Sequence, residues 1–220
     1  MTFSTLSPTW FFGYDVVMEL AFAITCLVIS LFAFKIFKVT DQRQIKLFGI
    51  SFGIISASYF AQSLFNFLII SELNENISAA IELNSVLLFD AFGILVHVIL
   101  MTTGLAVLAY MTLRTEKARI FWFMLALTML GIFLSVNKIY MFYLFMSLYC
   151  IFLVIHFTEN YFRHRQGKTL LIALAFLFLL FGNIHFLISV NHQLFYVIGH
   201  ALELLAYVLI IINLYLVLRK

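Results

Sequence analysis

Long apolar runs alternate with short polar ones along the whole chain. A helix needs about 20 apolar residues to cross the ~30 Å hydrocarbon core of a bilayer, and seven runs approach or exceed that length. They cover approximately Trp10–Phe34, Leu47–Ile70, Val86–Leu113, Ile120–Ser135, Ile139–Tyr161, Leu170–Val190 and Leu194–Leu218, of which the fourth is the shortest. The runs are continuous and lack the alternation of barrel strands. Because open strands would leave backbone amides unpaired in lipid, the pattern predicts an all-α, polytopic bundle of seven transmembrane helices.

The charges between these runs predict an orientation. Basic residues occupy the first, third and fifth connections and the chain end, as Lys35, Lys38, Arg43, Lys46, Arg114, Lys117, Arg119, Arg163, Arg165, Lys168, Arg219 and Lys220. The second connection is acidic, with Glu72, Glu75 and Glu82, and the fourth and sixth contain only Lys138 and His192. Basic loops stay in the cytoplasm, so we expect the N-terminus outside and the C-terminus in the cytoplasm. No Lys or Arg precedes Lys35, so the first run lacks the basic start of a cleaved signal peptide.

Composition agrees with a protein of the cell membrane that crosses it several times. Hydrophobic residues make up 65% of the 220 residues and charged residues 10%, against about 25% charged residues in soluble domains. No linker divides the chain, so we expect a single domain over residues 1–220 with the lipid bilayer as its partner. The net charge of +3 lies in short clusters between apolar runs. That distribution predicts no nucleic-acid partner and leaves any protein partner open.

The candidate chemistry lies in ionisable residues within the apolar runs, each of which costs about 2.5–3.5 kcal/mol at the centre of a membrane helix. They are Asp15, Glu19, Asp90, His97, His156, His185, His200 and Glu203. At a rise of ~1.5 Å per residue, all of them except His156 fall at or outside the midplane, on the outer side. The sequence therefore predicts a polar cavity that opens to the outer side and takes an ion or a small molecule.

Angular spacing indicates which side chains share this cavity. Helical periodicity places Tyr196, His200, Glu203 and Tyr207 on one face of the seventh helix, and Tyr59, Gln62, Ser63 and Asn66 on one face of the second. Asp15 and Glu19 share a face of the first helix, and Asp90 and His97 a face of the third. Asn183 and His185 lie about 160° apart on the sixth, so only one of that pair can face the same cavity.

Metal binding is the first function that this residue set suggests, because imidazole and carboxylate groups together suit zinc or iron. The predicted ligands are His200, Glu203, Asp90, His97, Glu19 and His185. Asp15, Asn66, Tyr59, Gln62, Tyr196 and Tyr207 are predicted to line the cavity around them. If the protein is an enzyme, it would be a metal-dependent membrane hydrolase or oxidoreductase, with Asp90 or Glu203 as the base that activates a metal-bound water. The sequence contains no soluble catalytic signature, and it assigns no catalytic residue.

Three other functions fit the same pattern. Two histidines on facing helices could ligate a haem, with Gly93, Gly104 and Gly199 leaving room for a flat ring. Buried Asp, Glu and His residues could instead serve a proton- or cation-coupled transporter of small solutes. Residues 66–71 resemble residues 185–189, which hints at a duplication of helices one to three as helices five to seven. The fourth function is a ligand sensor that works with a separate partner.

Overall fold

The computed structural model describes residue 8 and residues 11–74, 81–189 and 192–218; within the helices, the side chains of residues 12, 70–74, 81–87 and 218 are outside the description. The described residues form seven α-helices: α1 Phe12–Thr40, α2 Arg43–Asn74, α3 Ile81–Thr112, α4 Ala118–Leu134, α5 Lys138–His164, α6 Gly167–Ser189 and α7 Leu194–Leu218. The all-α prediction is thereby confirmed. Trp10, Glu75, Arg219 and Lys220, and the side chains of Glu72 and Glu82, lie outside the described residues.

Helix length and apolar character agree with a membrane-spanning bundle. Among the described residues, α1, α2, α3, α5, α6 and α7 are long and apolar enough to cross a membrane. Helix α4 has 17 residues, which corresponds to about 26 Å, slightly short of the ~30 Å apolar core. The seventh crossing and the orientation of the bundle remain predictions from the sequence.

Helix α1 shows how each helix divides its surface. Its exposed stripe is apolar and consists of Leu20, Ile24, Leu27 and Leu31. Its buried stripe faces the other helices and consists of Asp15, Glu19, Phe22, Cys26, Ile29 and Ala33. A helix that is apolar on its exposed face as well as on its buried face is typical of a membrane span. The acidic residues Asp15 and Glu19 of α1 are thus directed into the bundle, away from the surface that would contact lipid.

The helices form a ring made of two halves. In the first half α2 packs between α1 and α3, and in the second half α6 packs between α5 and α7. Contacts of α1 with α7 and of α3 with α5 close the ring, while α4 packs outside it against α3 and α5. Replacing α1, α2 and α3 by α5, α6 and α7 reproduces every neighbour relation of the ring. This arrangement agrees with the weak internal similarity in the sequence, and it puts the interior between the two halves.

Helices that follow one another along the chain run in opposite directions. Arg43 at the start of α2 donates from Nη2 to the Tyr110 hydroxyl near the end of α3, over 3.1 Å. On α1 and α2, Ser30 donates to the Gly49 carbonyl oxygen and Ser63 to the Val16 carbonyl oxygen, so the two helices are antiparallel. Helices α5 and α6 are also antiparallel, because Tyr143 stacks on Phe186 and Phe157 on Phe176. Helices α1 and α7 are parallel, because Phe11 contacts His200 and Phe22 contacts Tyr207. Helices α1, α3, α5 and α7 therefore begin at the same end of the bundle, which we call the predicted outer end.

Candidate polar site between the two halves

Glu203 on α7 is the central residue of the polar site. Its side chain is 4% exposed, and its Oε1 accepts a hydrogen bond of 3.0 Å from the hydroxyl of Tyr59 on α2. The Tyr207 hydroxyl donates to the Tyr59 hydroxyl, also over 3.0 Å. These three side chains form a chain of hydrogen bonds across the interior. Helices α2 and α7 belong to different halves, so Tyr59 connects the halves.

Glu19 on α1 forms a second buried carboxylate next to this chain. It is 3% exposed, and the side-chain amide of Asn66 on α2 donates to both of its oxygens at 2.9 Å. Glu19 lies within electrostatic range of Asp15 and of Glu203. A bidentate amide contact satisfies a carboxylate without neutralising its charge, so Glu19 adds a second acidic group to the site.

His200 lies beside Glu203 in an aromatic surround. Its Nδ1 is 3.5 Å from Glu203 Oε2, the expected result of an i, i+3 spacing on α7. The rings of Phe11, Phe22, Phe186 and Tyr196 surround its imidazole, with centroids 4.6–6.0 Å away. Neither ring nitrogen has a hydrogen-bond partner among the described residues. The imidazole is therefore held by packing, and its nearest polar neighbour is a carboxylate.

His97 joins the site from α3 through a residue that the sequence did not single out. Its Nδ1 is 3.0 Å from the hydroxyl of Ser58 on α2, and that hydroxyl also donates to the His97 carbonyl oxygen. The His97 ring packs edge-on against Tyr59, with centroids 5.7 Å apart. Ser58 could have been noticed because it lies one helical turn before Gln62, but a serine in a membrane helix is a weak signal.

The predicted lining residues fall close to this network. Asp15 is buried and lies within electrostatic range of Tyr196 and Glu19. Gln62 is partly buried, and its Oε1 has no hydrogen-bond partner among the described residues. Tyr59 and Tyr207 are almost fully buried. The predicted stripes on α1, α2 and α7 therefore do converge on one region.

Two of the predicted metal ligands lie apart from this region. His185 on α6 is partly exposed, and its Nδ1 is 2.7 Å from the carbonyl oxygen of Phe181 in its own helix. Asn183 faces the interior instead, because the two positions lie on nearly opposite sides of α6. Asp90 on α3 is half-buried and makes no hydrogen bond or ion pair with a described residue.

The predicted metal centre is not supported by this geometry. Within residues 11–74, 81–189 and 192–218, no three His, Cys, Asp or Glu side chains lie close enough together to hold a metal ion. The physical reason is that the groups are already divided among other partners. Glu19 accepts hydrogen bonds from Asn66, and Glu203 accepts one from Tyr59. His97 forms a hydrogen bond with Ser58.

A small cavity adjoins Glu203 between the halves. Its lining is mainly apolar and comprises Phe52, Ile55, Met101, Leu105, Leu108, Cys150, Leu179, Asn183, Glu203 and Tyr207. The space open to the centre of a water molecule is about 10 Å³, which is room for about one water. Cys150 is fully buried here, and nothing in its sequence context predicted that it would line a cavity.

Fold and site together define a helical protein with the character of a multi-spanning membrane protein, which carries a buried carboxylate, histidine and tyrosine network between two similar halves. Comparisons with protein-family models, with curated proteins and with solved structures found no match.

Proposed function

We propose that the protein is a proton-coupled carrier of a small solute, with Glu203 as the group that binds and releases the proton. The observation that supports this most directly is the environment of Glu203. It is a carboxylate inside an apolar bundle whose described hydrogen-bond donor is the neutral Tyr59 hydroxyl. A buried carboxylate without a fixed cation needs a mobile one, and a proton is the smallest.

The charges near Glu203 favour a mobile cation. Titratable side chains within electrostatic range of it include Glu19, Cys26, Tyr59, Tyr143, Cys150, Tyr196, His200 and Tyr207. They include a second carboxylate and a histidine, and among the described residues no lysine or arginine forms an ion pair with Glu203. Glu19, His200 and Glu203 lie about 9 to 14 Å from the helix starts at the predicted outer end. They form a series of proton acceptors from that end towards the middle of the bundle.

The halves provide a means of alternating access. Carriers with repeated halves bind solutes near the midplane between the repeats and move one half against the other. Here the network spans the same interface, because Tyr59 belongs to the first half and Glu203 to the second. We infer that loading of Glu203 with a cation changes the hydrogen bond to Tyr59, which couples occupancy to the relative position of the halves.

Carbodiimide modification tests the proposal without knowledge of the solute. Dicyclohexylcarbodiimide is an apolar reagent that attacks protonated carboxylic acids, and peptide mass spectrometry locates the product. We expect modification of Glu203 that decreases as the pH rises, whereas the exposed Glu159 serves as the control and stays largely unmodified by this reagent. Modification of Glu203 that is independent of pH, or its absence at every pH, would contradict a proton-binding role.

A further inference from the structure

The cavity next to Glu203 indicates which solute the carrier takes. It lies where residues of α2, α3, α5, α6 and α7 meet, and its lining contains a single acidic side chain and no basic one. Its volume of about 10 Å³ is that of one water-sized occupant. The Glu203 carboxylate would repel an anion. A large solute would not fit a cavity of this size.

The polar groups of the lining are hydrogen-bond acceptors. Glu203 Oε2 accepts no hydrogen bond from described residues, and it is 3.5 Å from His200 Nδ1. The amide nitrogen of Asn183 is already used, since it donates to the Leu179 carbonyl oxygen at 2.8 Å. The Asn183 oxygen and the Tyr207 oxygen are therefore left as acceptors for an occupant. An occupant that supplies N–H donors would complement all of these groups.

The apolar remainder of the lining distinguishes ammonium from metal cations. Ions such as calcium require six to eight oxygen ligands or so, and this cavity offers oxygens from only Glu203, Asn183 and Tyr207. An ammonium group donates a few directed hydrogen bonds and also tolerates aromatic faces such as those of Phe52 and Tyr207.

On these grounds we propose that the cavity binds ammonium at the Glu203 carboxylate. This inference rests on the proposed function, and it identifies the solute class that exchanges with the proton. The exchange is balanced, because Glu203 in its acid form releases one proton and the resulting carboxylate takes up one monovalent cation. The charge of the occupied site stays the same.

Equilibrium dialysis of the purified protein with isotopically labelled ammonium tests the inference. We expect saturable binding that excess unlabelled ammonium displaces and that equal concentrations of potassium or methanol leave unchanged. In Glu203→Gln the affinity should fall at least about tenfold, while the exposed control Glu159→Gln binds like the wild type. Leu179→Phe, which fills the cavity without altering the carboxylate, should also lose binding, and its helical circular dichroism reports whether it is folded.

Other outcomes separate this inference from the proposed function. Displacement by potassium as effective as by ammonium, or full binding by Glu203→Gln, would overturn the ammonium site. If ammonium does not bind while carbodiimide modifies Glu203 in a pH-dependent way, the solute class is wrong and the proton role stands. If Glu203 shows no pH-dependent modification, the proposed function itself fails.

Discussion

The hydroxyl of Tyr59 lies 3.0 Å from Glu203 Oε1 and joins helix α2 of the first half to helix α7 of the second. Tyr59 also accepts the hydrogen bond from Tyr207. Both hydrogen bonds join a side chain of the first half to a side chain of the second. The hydrogen bonds of Asn66 with Glu19 stay within the first half. Tyr59 therefore connects the acidic site to the interface between the halves.

Replacement of Tyr59 by phenylalanine should weaken that interface. The ring remains, but two hydrogen bonds are lost and Glu203 Oε1 loses its donor. Interhelical hydrogen bonds in membranes contribute about 0.6 to 1.7 kcal/mol each, so we expect a loss of about 1–3 kcal/mol of unfolding free energy. Denaturation in mixed detergent micelles measures it. Tyr215→Phe removes a hydroxyl from a ring that is 60% exposed and should change the stability far less; equal losses in the two variants would argue against the connecting role.

The same substitution should increase the exposure of Cys150. This thiol is fully buried and lines the cavity, so in a Cys26→Ala background we expect slow reaction with N-ethylmaleimide. If Tyr59 holds the halves together, Tyr59→Phe lowers the free energy needed to separate them by about 1–3 kcal/mol. The rate of Cys150 labelling should then rise about 5- to 150-fold. Intact-protein mass spectrometry follows the reaction. An unchanged rate in a folded Tyr59→Phe variant would show that access to the cavity does not depend on this residue.

Gly199 should not tolerate a side chain. A Cβ atom there would lie 2.6 Å from Cε1 of Phe186, whose ring is confined by Tyr143, Tyr196 and His200. Because the ring has little freedom to move, Gly199→Ala should cost about 1–3 kcal/mol of stability through overpacking. Gly13→Ala is the matched control, since a Cβ built at Gly13 meets no atom within 4 Å among the described residues outside its own turn of helix. Similar melting temperatures for the two variants would mean that α6 and α7 pack less closely than the structure indicates.

The crossing of α4 can be tested by the sidedness of its two ends. Glu116 precedes α4 and Val136 follows it, and both are exposed. In a background without native cysteines, Val136→Cys should react in intact cells with a membrane-impermeant maleimide. Glu116→Cys should react only after the cells are permeabilised. Reaction of both from the same side would mean that α4 does not cross the membrane, in spite of the charge pattern.

The helices were predictable because apolar runs of this length allow little other than helix in a bilayer. All seven runs became helices, and the stripes on α1, α2 and α7 converge as their spacing predicted. The position of a residue along its helix axis follows directly from its place in a run. Each of these features is a property of a single helix. They could therefore be predicted from the sequence without knowledge of how the helices pack together.

The partners within the site could not be predicted in the same way. Glu19 and Glu203 were expected to point at a shared ion, but each receives a hydrogen bond from α2 instead. His185 was expected among the metal ligands, yet the rotation of α6 directs Asn183 inwards and leaves His185 at the periphery. Packing between helices determines how each helix is rotated about its axis and which helices it contacts. Leu and Phe occur on every face, so the sequence pattern does not show which face packs against which neighbour.

Infrared difference spectroscopy of the purified protein tests the central claim, that Glu203 binds a proton reversibly, most directly. Between spectra at low and high pH, we expect the wild type to show a carboxylic-acid carbonyl band that is exchanged for carboxylate bands. Part of the carboxylic-acid signal should be absent from the spectrum of Glu203→Gln. The spectrum of Glu159→Gln should retain that part. A difference spectrum in which Glu203→Gln retains the full carboxylic-acid signal of the wild type would contradict the account.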